Sequence, residues 1–480
     1  MRQRLDDCRR KRQIAAWPDP TIRSFYITSW KKFMRMYTQN KFIVTSTLLF
    51  ISAIYINANL AAADTLFQNV RIFDGHSSEL SSPSNVLVKG NRVDTISTGP
   101  IDTGNATIVE GSSMTLMPGL IDAHWHTILV RPTAQQAILG DFGFINILAG
   151  AEAEATLMRG FTTVRDMGGP SFGLKLAIDA GVVPGPRIYP SGAMLTTTGG
   201  HGDFRFPTEL PREPGHLTRS EVINGSMIVD SPDEVRMRVR EQLMLGASQI
   251  KLTAGGGVAS PHSPLDVSTF TEEELRAATE AAENWGTYVA VHAYTPRAIQ
   301  RAIRAGVKVI EHAHLMDEET AKMISENDIW LSTQPFVGEA EDWVGLSPDS
   351  QDKLRLVLGG TNRVYELVKK YNIKTAFGTD ILFDASAATQ QGAWLARMTR
   401  WFTPSEALEM VTGRNGELLE MSGRRNPYPG RLGVVEEGAF ADLLLVSGDP
   451  IADLGLMTDA RTNFKVIMKD GFIYKNTLLD

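Results

Sequence analysis

The feature that most constrains the fold is an alternation, between about residues 117 and 420, of short apolar segments with amphipathic ones. Apolar segments of this length predict strands buried on both faces, and strands separated by helices predict a parallel sheet. The predicted strands are residues 119–123, 161–165, 187–190, 249–253, 288–292, 307–312, 330–333 and 375–378. Eight strands joined by helices fit a closed ring, so we predict an α/β fold with a (β/α)8 TIM-type barrel.

Capping residues mark several helix starts between these strands. Ser231, Thr271 and Thr403 are each followed three residues later by a glutamate, which is the spacing of a capping box. Proline follows Ser231 and Thr403 directly, at the first helical position. These signals predict helices that start at positions 232, 272 and 404.

Both ends of the globular region are rich in short strands and turns. The amino-terminal strands are predicted at residues 65–73, 85–88, 92–96 and 107–109, and the carboxyl-terminal ones at 441–446, 464–469 and 472–475. We therefore expect one small β-sandwich domain built from residues 64–116 plus 430–480, beside a barrel domain of residues 117–429.

The N-terminus has the parts of a secretory signal. Lys41 precedes an uncharged, mostly apolar run at residues 42–56, and small residues follow up to Ala63. We expect translation to start at Met34 or Met36 and cleavage to occur near Ala63, so that residues 1–63 are leader and signal peptide. The mature protein would then be periplasmic or secreted, touching a membrane only through the signal segment. The alternative is an uncleaved anchor, since an uncharged stretch of this length can just span a bilayer.

Charge and cysteine content exclude several classes of protein. The chain has 48 Lys and Arg against 55 Asp and Glu, a net charge of −7, and no long basic run in its body. We therefore expect no nucleic-acid partner. The single cysteine, Cys8, lies in the predicted leader, so the mature chain has neither a disulfide nor a thiol nucleophile.

A His-x-His pair lies at the end of the first predicted barrel strand. His124 and His126 are two residues apart, so on a strand both side chains point to the same side. Paired imidazoles suit a divalent metal such as zinc. Alone, the pair could equally be two ordinary polar residues at a strand end.

Four more candidate ligands lie at or near the ends of later strands, where the chemistry of a barrel is located. They are Lys251, His292, His312 and Asp380. A protonated lysine cannot bind a cation, because an ammonium group has only donors. Lys251 could be carboxylated by carbon dioxide to a carbamate with two oxygens, or it could be an ammonium paired with a carboxylate near the sheet end.

The ordered set of motifs resembles the amidohydrolase superfamily over roughly residues 65–475. The motifs are MPGLIDAHWH at residues 117–126, IK at 250–251, VHA at 291–293, EHA at 311–313 and GTD at 378–380. The branch most similar to this chain includes imidazolonepropionase-like hydrolases, Xaa-Pro dipeptidases and ochratoxinase. Imidazolonepropionase itself uses one metal and lacks the strand-four lysine, so the presence of Lys251 favours the peptidase-like members.

The resemblance implies a site with two divalent metal ions. Histidine and carboxylate ligands suit zinc. Its implied ligands are His124, His126 and Asp380 for the first metal, His292 and His312 for the second, and a carboxylated Lys251 between them. A metal-activated water would attack an amide carbonyl. Asp380 would act as general acid and base.

Two further residues are candidate substrate contacts. By resemblance, His201 in the glycine-rich segment 199–202 would hydrogen-bond the substrate carbonyl or carboxylate, with a structural role in the loop as the alternative. Tyr294, two residues after His292, could bind a substrate carboxylate. For Arg165 a buried ion pair is at least as good an interpretation as substrate contact. His314 is expected to be structural, and His262 has no assigned role.

These residues together predict a metal-dependent hydrolase that cleaves an amide bond beside a free carboxylate, in dipeptides or N-acyl amino acids. One alternative keeps the site but makes the substrate a cyclic amide or lactone. The other is an inactive binding protein anchored by residues 42–63. Loop aromatics such as Phe336 and Trp343 could favour apolar substrates or only pack the loops. Relatives in this superfamily are often oligomeric, so a homo-oligomer is expected.

Overall fold

The computed structural model describes residues 62–212, 215–260, 262–343 and 346–478, and the chain from residue 62 onward forms one compact unit. The predicted leader and signal, residues 1–63, lies outside the described residues except for its last two positions. Its cleavage or retention stays a prediction. None of the helices described is both long enough and apolar enough to span a bilayer.

Strands form both chain ends and alternate with helices between them. In chain order the strands of the described residues are β1 (Thr65–Ile72), β2 (Ser84–Lys89), β3 (Arg92–Ser97), β4 (Thr107–Glu110), β5 (Met114–Pro118), β6 (Leu120–Trp125), β7 (Phe161–Asp166), β8 (Arg187–Pro190), β9 (Met194–Thr196), β10 (Ser226–Ile228), β11 (Ile250–Thr253), β12 (Val289–Ala293), β13 (Val309–His312), β14 (Trp330–Thr333), β15 (Thr375–Phe377), β16 (Leu443–Ser447), β17 (Phe464–Lys469) and β18 (Phe472–Asn476). All eight predicted barrel strands are confirmed, with ends shifted by two residues or fewer.

The helices fill the spaces between the barrel strands. The α-helices of the described residues are α1 (Ala134–Leu139), α2 (Phe142–Met158), α3 (Phe172–Asp179), α4 (Arg219–Val222), α5 (Pro232–Leu245), α6 (Glu272–Asn284), α7 (Pro296–Arg304), α8 (Glu318–Glu326), α9 (Pro348–Tyr371), α10 (Ala385–Ala388), α11 (Gln391–Ala396), α12 (Pro404–Glu409), α13 (Asn415–Glu420) and α14 (Ala460–Asn463). A π-helical turn, Met410–Arg414, joins α12 to α13.

The capping signals produce the predicted helix starts. Thr271 and Thr403 each form the full capping box, in which the side chain accepts from a backbone N–H and a glutamate bonds back to the cap. Ser231 also caps its helix, by accepting from the N–H of Glu234. The carboxylate of Glu234, however, accepts from the N–H of Asp230 instead of completing a box.

The two chain ends meet in one sheet of eight strands. Its order is β18-β17-β16-β5-β1-β2-β3, with β4 paired to β1. β5 joins the ends, since it pairs antiparallel with β16, where Leu116 lies opposite Leu445, and parallel with β1. Strands from both chain ends therefore share one sheet. A sandwich, and its separation from the barrel as a domain, stay predictions.

The barrel strands form two parallel sheets. Seven strands have the order β10-β9-β11-β12-β13-β14-β15, and three have the order β6-β7-β8. The third predicted strand supplies β8 to the smaller sheet, and the chain then continues into β9 of the larger sheet. The parallel arrangement is confirmed, whereas a ladder closed around all eight strands is not detected among the described residues.

Side-chain hydrogen bonds bridge the facing edges of β6 and β15. Asn415 Nδ2 donates to the carbonyl oxygens of Ile121 (2.7 Å) and Phe377 (2.8 Å), and its Oδ1 accepts from the N–H of Phe377 (3.0 Å). Beyond the strand ends, the N–H of Asp380 donates to the carbonyl of His124 (2.8 Å). These contacts hold the carboxyl ends of β6 and β15 side by side, which positions the residues that follow.

Candidate active site

The structure brings the predicted metal ligands together at the carboxyl ends of the parallel strands. They lie on or just beyond β6, β11, β12, β13 and β15, and they are His124, His126, Lys251, His292, His312 and Asp380. The ring centroid of His312 lies 4.9 Å from that of His124 and 4.4 Å from that of His292. All six side chains are buried or nearly so, with Asp380 the most exposed at 16%.

Asp380 lies close to both histidines at the carboxyl end of β6, His124 and His126. Its Oδ1 lies 3.1 Å from Nε2 of His126 and 3.3 Å from Nε2 of His124, and its Oδ2 lies 3.9 Å from Nδ1 of His312. One ligand atom from each of His124, His312 and Asp380 falls within 4.8 Å of the others. These three residues can therefore hold one metal ion between them, although the sequence-based prediction assigned His312 to the other ion.

The outer nitrogens of three histidine rings face acceptors. Nδ1 of His124 lies 2.8 Å from Oε2 of Glu311, Nδ1 of His126 lies 3.1 Å from the Gly168 carbonyl, and Nε2 of His292 lies 2.8 Å from the Gly256 carbonyl. Because a carboxylate or a carbonyl can only accept, each of these nitrogens carries the hydrogen. The other nitrogen of His124 and of His292 keeps its lone pair, as in metal-ligating histidines, whereas Nε2 of His126 lies 3.1 Å from a second acceptor, the carboxylate oxygen Oδ1 of Asp380.

Glu311, the partner of His124, is itself held by a buried ion pair. Nη2 of Arg165 lies 2.5 Å from Oε1 of Glu311, and both side chains are fully buried. The same guanidinium donates to the Ala123 carbonyl (2.6 Å) and to the Tyr288 hydroxyl (3.2 Å). The ion-pair interpretation of Arg165 is thus confirmed, with Glu311 as its partner.

Asp122 links the segments that carry His124 and Asp380. Its Oδ1 accepts from the N–H groups of His124 (3.0 Å) and Thr379 (3.1 Å), and its Oδ2 accepts from the Thr379 hydroxyl (2.7 Å). Burial raises the pKa of Asp122 to about 6, although these hydrogen bonds oppose the shift. One carboxylate therefore fixes both ligand-bearing segments.

Two of the ligands have a left-handed backbone, which is uncommon for residues other than glycine. His312 has φ 77° and Asp380 has φ 55°. Such conformations cost on the order of 1–3 kcal/mol each and persist where the surroundings enforce them. Gly378 is required nearby for close approach, since a Cβ there would lie 2.6 Å from the backbone nitrogen of His124.

Lys251 is buried beside these ligands without a partner of its own. Its side chain is 2% exposed and makes neither a hydrogen bond nor an ion pair with any residue that the structure describes. Burial lowers the pKa of Lys251 to about 8, against the opposing attraction of Glu311 and Asp380. The alternative of an ammonium group paired with a carboxylate is therefore not observed.

Three of the four predicted histidine ligands have lowered pKa values, which suits metal binding because a ligating imidazole must be neutral. Burial lowers the pKa of His124, His292 and His312 well below the usual value. Burial acts in the same direction on His126, but its hydrogen bond to Asp380 outweighs it and raises the pKa. Burial would raise the pKa of Asp380, whereas its attraction to the two β6 histidines lowers it, so this carboxylate is ionised at neutral pH.

The two predicted substrate contacts adjoin this cluster. The ring of His201 lies 4.3 Å from that of His292, and its Nδ1 lies 2.8 Å from the hydroxyl of Ser260. Tyr294 is buried with its ring 4.9 Å from His292 and 5.2 Å from His312. Burial raises the pKa of Tyr294, so its hydroxyl keeps its hydrogen at neutral pH.

The remaining candidates lie beside or outside the cluster. His314 Nε2 donates to the carbonyl of Gln334 (3.0 Å) and its ring stacks on Phe336 at 5.0 Å, in line with a structural role. Phe336 in turn packs edge-on against Trp343 and Trp394, as a loop-packing group does. His262 is exposed on its loop.

Several contacts of the ligands were not predicted from the sequence. Glu311, Gly168, Gln334 and Ser260 each hold a histidine of the cluster through its ring nitrogen. Only Glu311 could have been found from the sequence, since it directly precedes His312 in the EHA motif at residues 311–313. The others are separated from their partners along the chain and carry no local pattern.

Comparisons with known proteins agree with this geometry. The model of the Amidohydrolase family matches residues 115–474. Ochratoxinase of Aspergillus niger is 30% identical over 382 residues, which cover 75% of each chain. A prolidase solved in complex with N-methylphosphonate-L-proline is 33% identical with a TM-score of 0.79, covering 86% of this chain and 100% of that one. A Xaa-Pro dipeptidase with bound methionine is 29% identical with a TM-score of 0.75, over 86% and 100% of the chains.

The family has a TIM-type barrel fold and typically uses divalent metals, and the His124, His312 and Asp380 cluster is a possible metal site of that kind. The match covers the strands that carry the predicted ligands and, in the terminal sheet, β16 and β17 with most of β5 and β18. The chain belongs to the amidohydrolase family and is a hydrolase acting on amide bonds.

Proposed function

We propose that this chain is a binuclear metal-dependent amidohydrolase that cleaves an amide bond beside a free carboxylate, in dipeptides or N-acyl amino acids. The observation that carries the proposal is the convergence of four histidines, Asp380 and an unpaired lysine at the strand ends. The ligand of the similar prolidase, N-methylphosphonate-L-proline, bears a phosphonate on the nitrogen of an amino acid with a free carboxylate. That chemistry supports the substrate class.

The donor set fits two divalent ions, for which zinc is the expected metal because the ligands are nitrogen and oxygen. His124, His126 and Asp380 would hold the first ion, His292 and His312 the second, and a carboxylated Lys251 would bridge them. When bound, divalent metals lower the pKa of a coordinated water toward about 7 and polarise a carbonyl group. The lone pairs left free by the outer hydrogen bonds of His124 and His292 support this assignment.

Carboxylation of Lys251 requires its neutral amine, which adds to carbon dioxide and releases a proton to give the carbamate. The lowered pKa of Lys251, about 8, supports this step, because about a tenth of such amines is neutral at pH 7. Nζ has no hydrogen-bond partner among the residues that the structure describes, which leaves it free to react. The carbamate would replace a buried cation by an anion with two oxygens, which suits a site between two metal ions.

The chain's own residues would bind the substrate and move the proton. Asp380, ionised at neutral pH, would accept a proton from the attacking water and pass it to the leaving amine. His201 would hydrogen-bond the carbonyl oxygen, and the Tyr294 hydroxyl would donate to the substrate carboxylate. Both lie within about 5 Å, ring to ring, of His292.

A substrate screen tests this function. Amine release would be measured for the zinc-loaded full-length protein on dipeptides and N-acyl amino acids, each paired with the same compound ending in a carboxamide. The proposal predicts hydrolysis that depends on the free carboxylate. Activity confined to cyclic amides or lactones would replace it by the alternative substrate class, and peptide binding without hydrolysis would return the binding-protein hypothesis.

We also propose export to the periplasm or medium, with membrane contact only through the signal segment, and assembly as a homo-oligomer. The apolar run at residues 42–56 before the small residues that end at Ala63 supports export. N-terminal sequencing of exported protein should begin at or near Asp64. A chain that keeps residues 42–63 would instead favour the anchor, and light scattering would measure the oligomeric state.

A further inference from the structure

Ser260 lies on the loop after β11 and contacts His201 from the side. Its side chain is fully buried, and its Oγ lies 2.8 Å from Nδ1 of His201 and accepts from the N–H of Gly202 at 3.0 Å. His201 and Ser260 are 59 residues apart along the chain. This contact therefore joins two separate loops above the strand ends.

The hydrogen bonds around Ser260 determine which nitrogen of His201 carries the hydrogen. A hydroxyl donates one hydrogen, and the N–H of Gly202 already occupies one of its acceptor positions. Among the described residues, Nδ1 of His201 is the only acceptor in reach of the Ser260 hydroxyl. If Nδ1 carried a hydrogen, the buried hydroxyl would be left without an acceptor, which is costly. The hydroxyl therefore donates to Nδ1, and His201 carries its hydrogen on Nε2.

Two further contacts keep Ser260 and His201 in this position. Lys353 on α9, which is also buried, donates to the backbone carbonyl of Ser260 at 3.1 Å and pairs with Asp349 at 2.7 Å. On the same side, a Cβ at Gly257 would lie 2.2 Å from Nδ1 of His201. The imidazole thus packs directly against the Gly257 backbone. The hydrogen bond from Lys353 on α9 holds the loop that carries Ser260.

We infer that Ser260 is a positioning residue that locks His201 in the tautomer with hydrogen on Nε2, so that the imidazole can donate to the carbonyl oxygen of an amide substrate. The role of that donor rests on the proposed function. The tautomer itself does not, because it follows from the contacts of Ser260 alone. A donor aimed at a carbonyl oxygen stabilises the negative charge that develops there during hydrolysis.

The tautomer is tested by ¹⁵N NMR of histidine-labelled, zinc-loaded full-length protein, whose nine histidines give a small spectrum. The signals of His201 are identified by their loss in His201→Gln. We expect a protonated Nε2 and an unprotonated Nδ1. A hydrogen on Nδ1, or on both nitrogens, would overturn the inference. This measurement on the unsubstituted protein decides the point even if a Ser260 variant fails to fold.

The positioning role is tested with Ser260→Ala, which should give mixed His201 tautomers and a kcat/KM lower by about tenfold or more. Ser260→Thr keeps a hydroxyl and should restore both. Ser263→Ala is the matched control, because the buried Ser263 hydroxyl of the same loop has no partner, and it should change kcat/KM by less than about twofold. Equal activity of Ser260→Ala and Ser263→Ala would refute the role.

The outcomes separate this inference from the proposed function. Hydrolysis of amides by a protein whose His201 carries hydrogen on Nδ1 would refute the inference and leave the function standing. A protein with the expected tautomer that hydrolyses no amide would refute the proposed function, and with it the donor role of His201.

Discussion

The two halves of the active site differ in how completely the protein alone holds them. In the first half, Asp380 lies within 3.3 Å of both β6 histidines, and the outer ring nitrogens bond Glu311 and Gly168. In the second half, the rings of His292 and His312 bond Gly256 and Gln334. Lys251, however, which would join the halves, has no partner among the described residues.

This difference teaches that the two proposed metal positions would be prepared to different degrees. The first half offers two imidazoles and a carboxylate already oriented by side-chain contacts. The second half offers two imidazoles, and its oxygen ligands exist only after Lys251 has reacted. We therefore expect metal to bind the first half more tightly and the second half only when the carbamate is present.

Removing the carboxylate of the first half should have the largest effect. Asp380→Asn removes the proton acceptor, and loss of a general acid and base lowers kcat by about 10²–10⁴-fold. Steady-state kinetics on the best substrate from the screen would measure it. Asp384→Asn is the control, because Asp384 caps α10 nearby and should leave kcat close to normal. A near-normal rate for Asp380→Asn would reject its role.

Removing the amine of the second half should cost nearly as much and should separate the halves directly. We expect Lys251→Ala to retain one tightly bound metal per chain, to lose the second, and to lose about 10²-fold or more in kcat. Elemental analysis after dialysis measures the metal content. Added formate or acetate should restore part of the activity of this variant. Neither should raise the activity of the unsubstituted protein. Two metals and full activity in Lys251→Ala would exclude the carbamate.

Weakening the outer contact of the first half should have a smaller effect on metal binding. Glu311→Gln leaves Arg165 buried without its anionic partner and weakens the support of His124, so metal affinity should fall about 10–100-fold. Glu221→Gln is the matched control, since Glu221 is a buried carboxylate that pairs with Arg212 and contacts none of the predicted ligands. Both variants should lose stability, but only Glu311→Gln should lose metal affinity. Equal affinities would show that Glu311 acts only on the fold.

The smallest effect is expected outside both halves, in the terminal sheet. Burial would raise the pKa of Asp470, but the attraction of Arg187 lowers it, so the ionised form stabilises the fold above about pH 4 and this contribution is lost as pH falls further. Asp470→Asn should lower the free energy of unfolding by about 1 kcal/mol or less at pH 7. Urea unfolding between pH 7 and pH 3 would measure a difference that becomes smaller toward the acid end. A change in kcat would contradict the separation of this sheet from the site.

The sequence predicted the strands well because their signals are local. Short apolar runs end at polar residues, and caps such as Thr271 and Thr403 start the helices between them. The division of the parallel strands into two sheets was not predicted. Strands β9 and β10 are too short to show a periodic pattern of apolar residues. The hydrogen bonds of Asn415 between the edges of β6 and β15 were not predicted either, because Asn415 lies almost 300 positions along the chain from its partner Ile121.

The identity of the candidate ligands also came from the sequence, since each lies on or just after an apolar strand. Their supports did not, because the hydrogen bond from His124 to Glu311 spans 187 residues and the one from His201 to Ser260 spans 59. The left-handed backbone at His312 and Asp380 has no signal in residue type, as it is imposed by the surrounding fold. Polar contacts between residues far apart along the chain thus cannot be predicted from a local sequence pattern and require the three-dimensional structure.

Titration of metal-free protein with zinc, followed by amine release from the best substrate, tests the central claim most directly. If the two halves bind zinc unequally and act together, little hydrolysis should occur during the first equivalent of zinc per chain. The rate should then rise steeply during the second equivalent, provided that bicarbonate is present to form the carbamate at Lys251. Full activity at one equivalent, with no further gain, would contradict a binuclear site joined by Lys251.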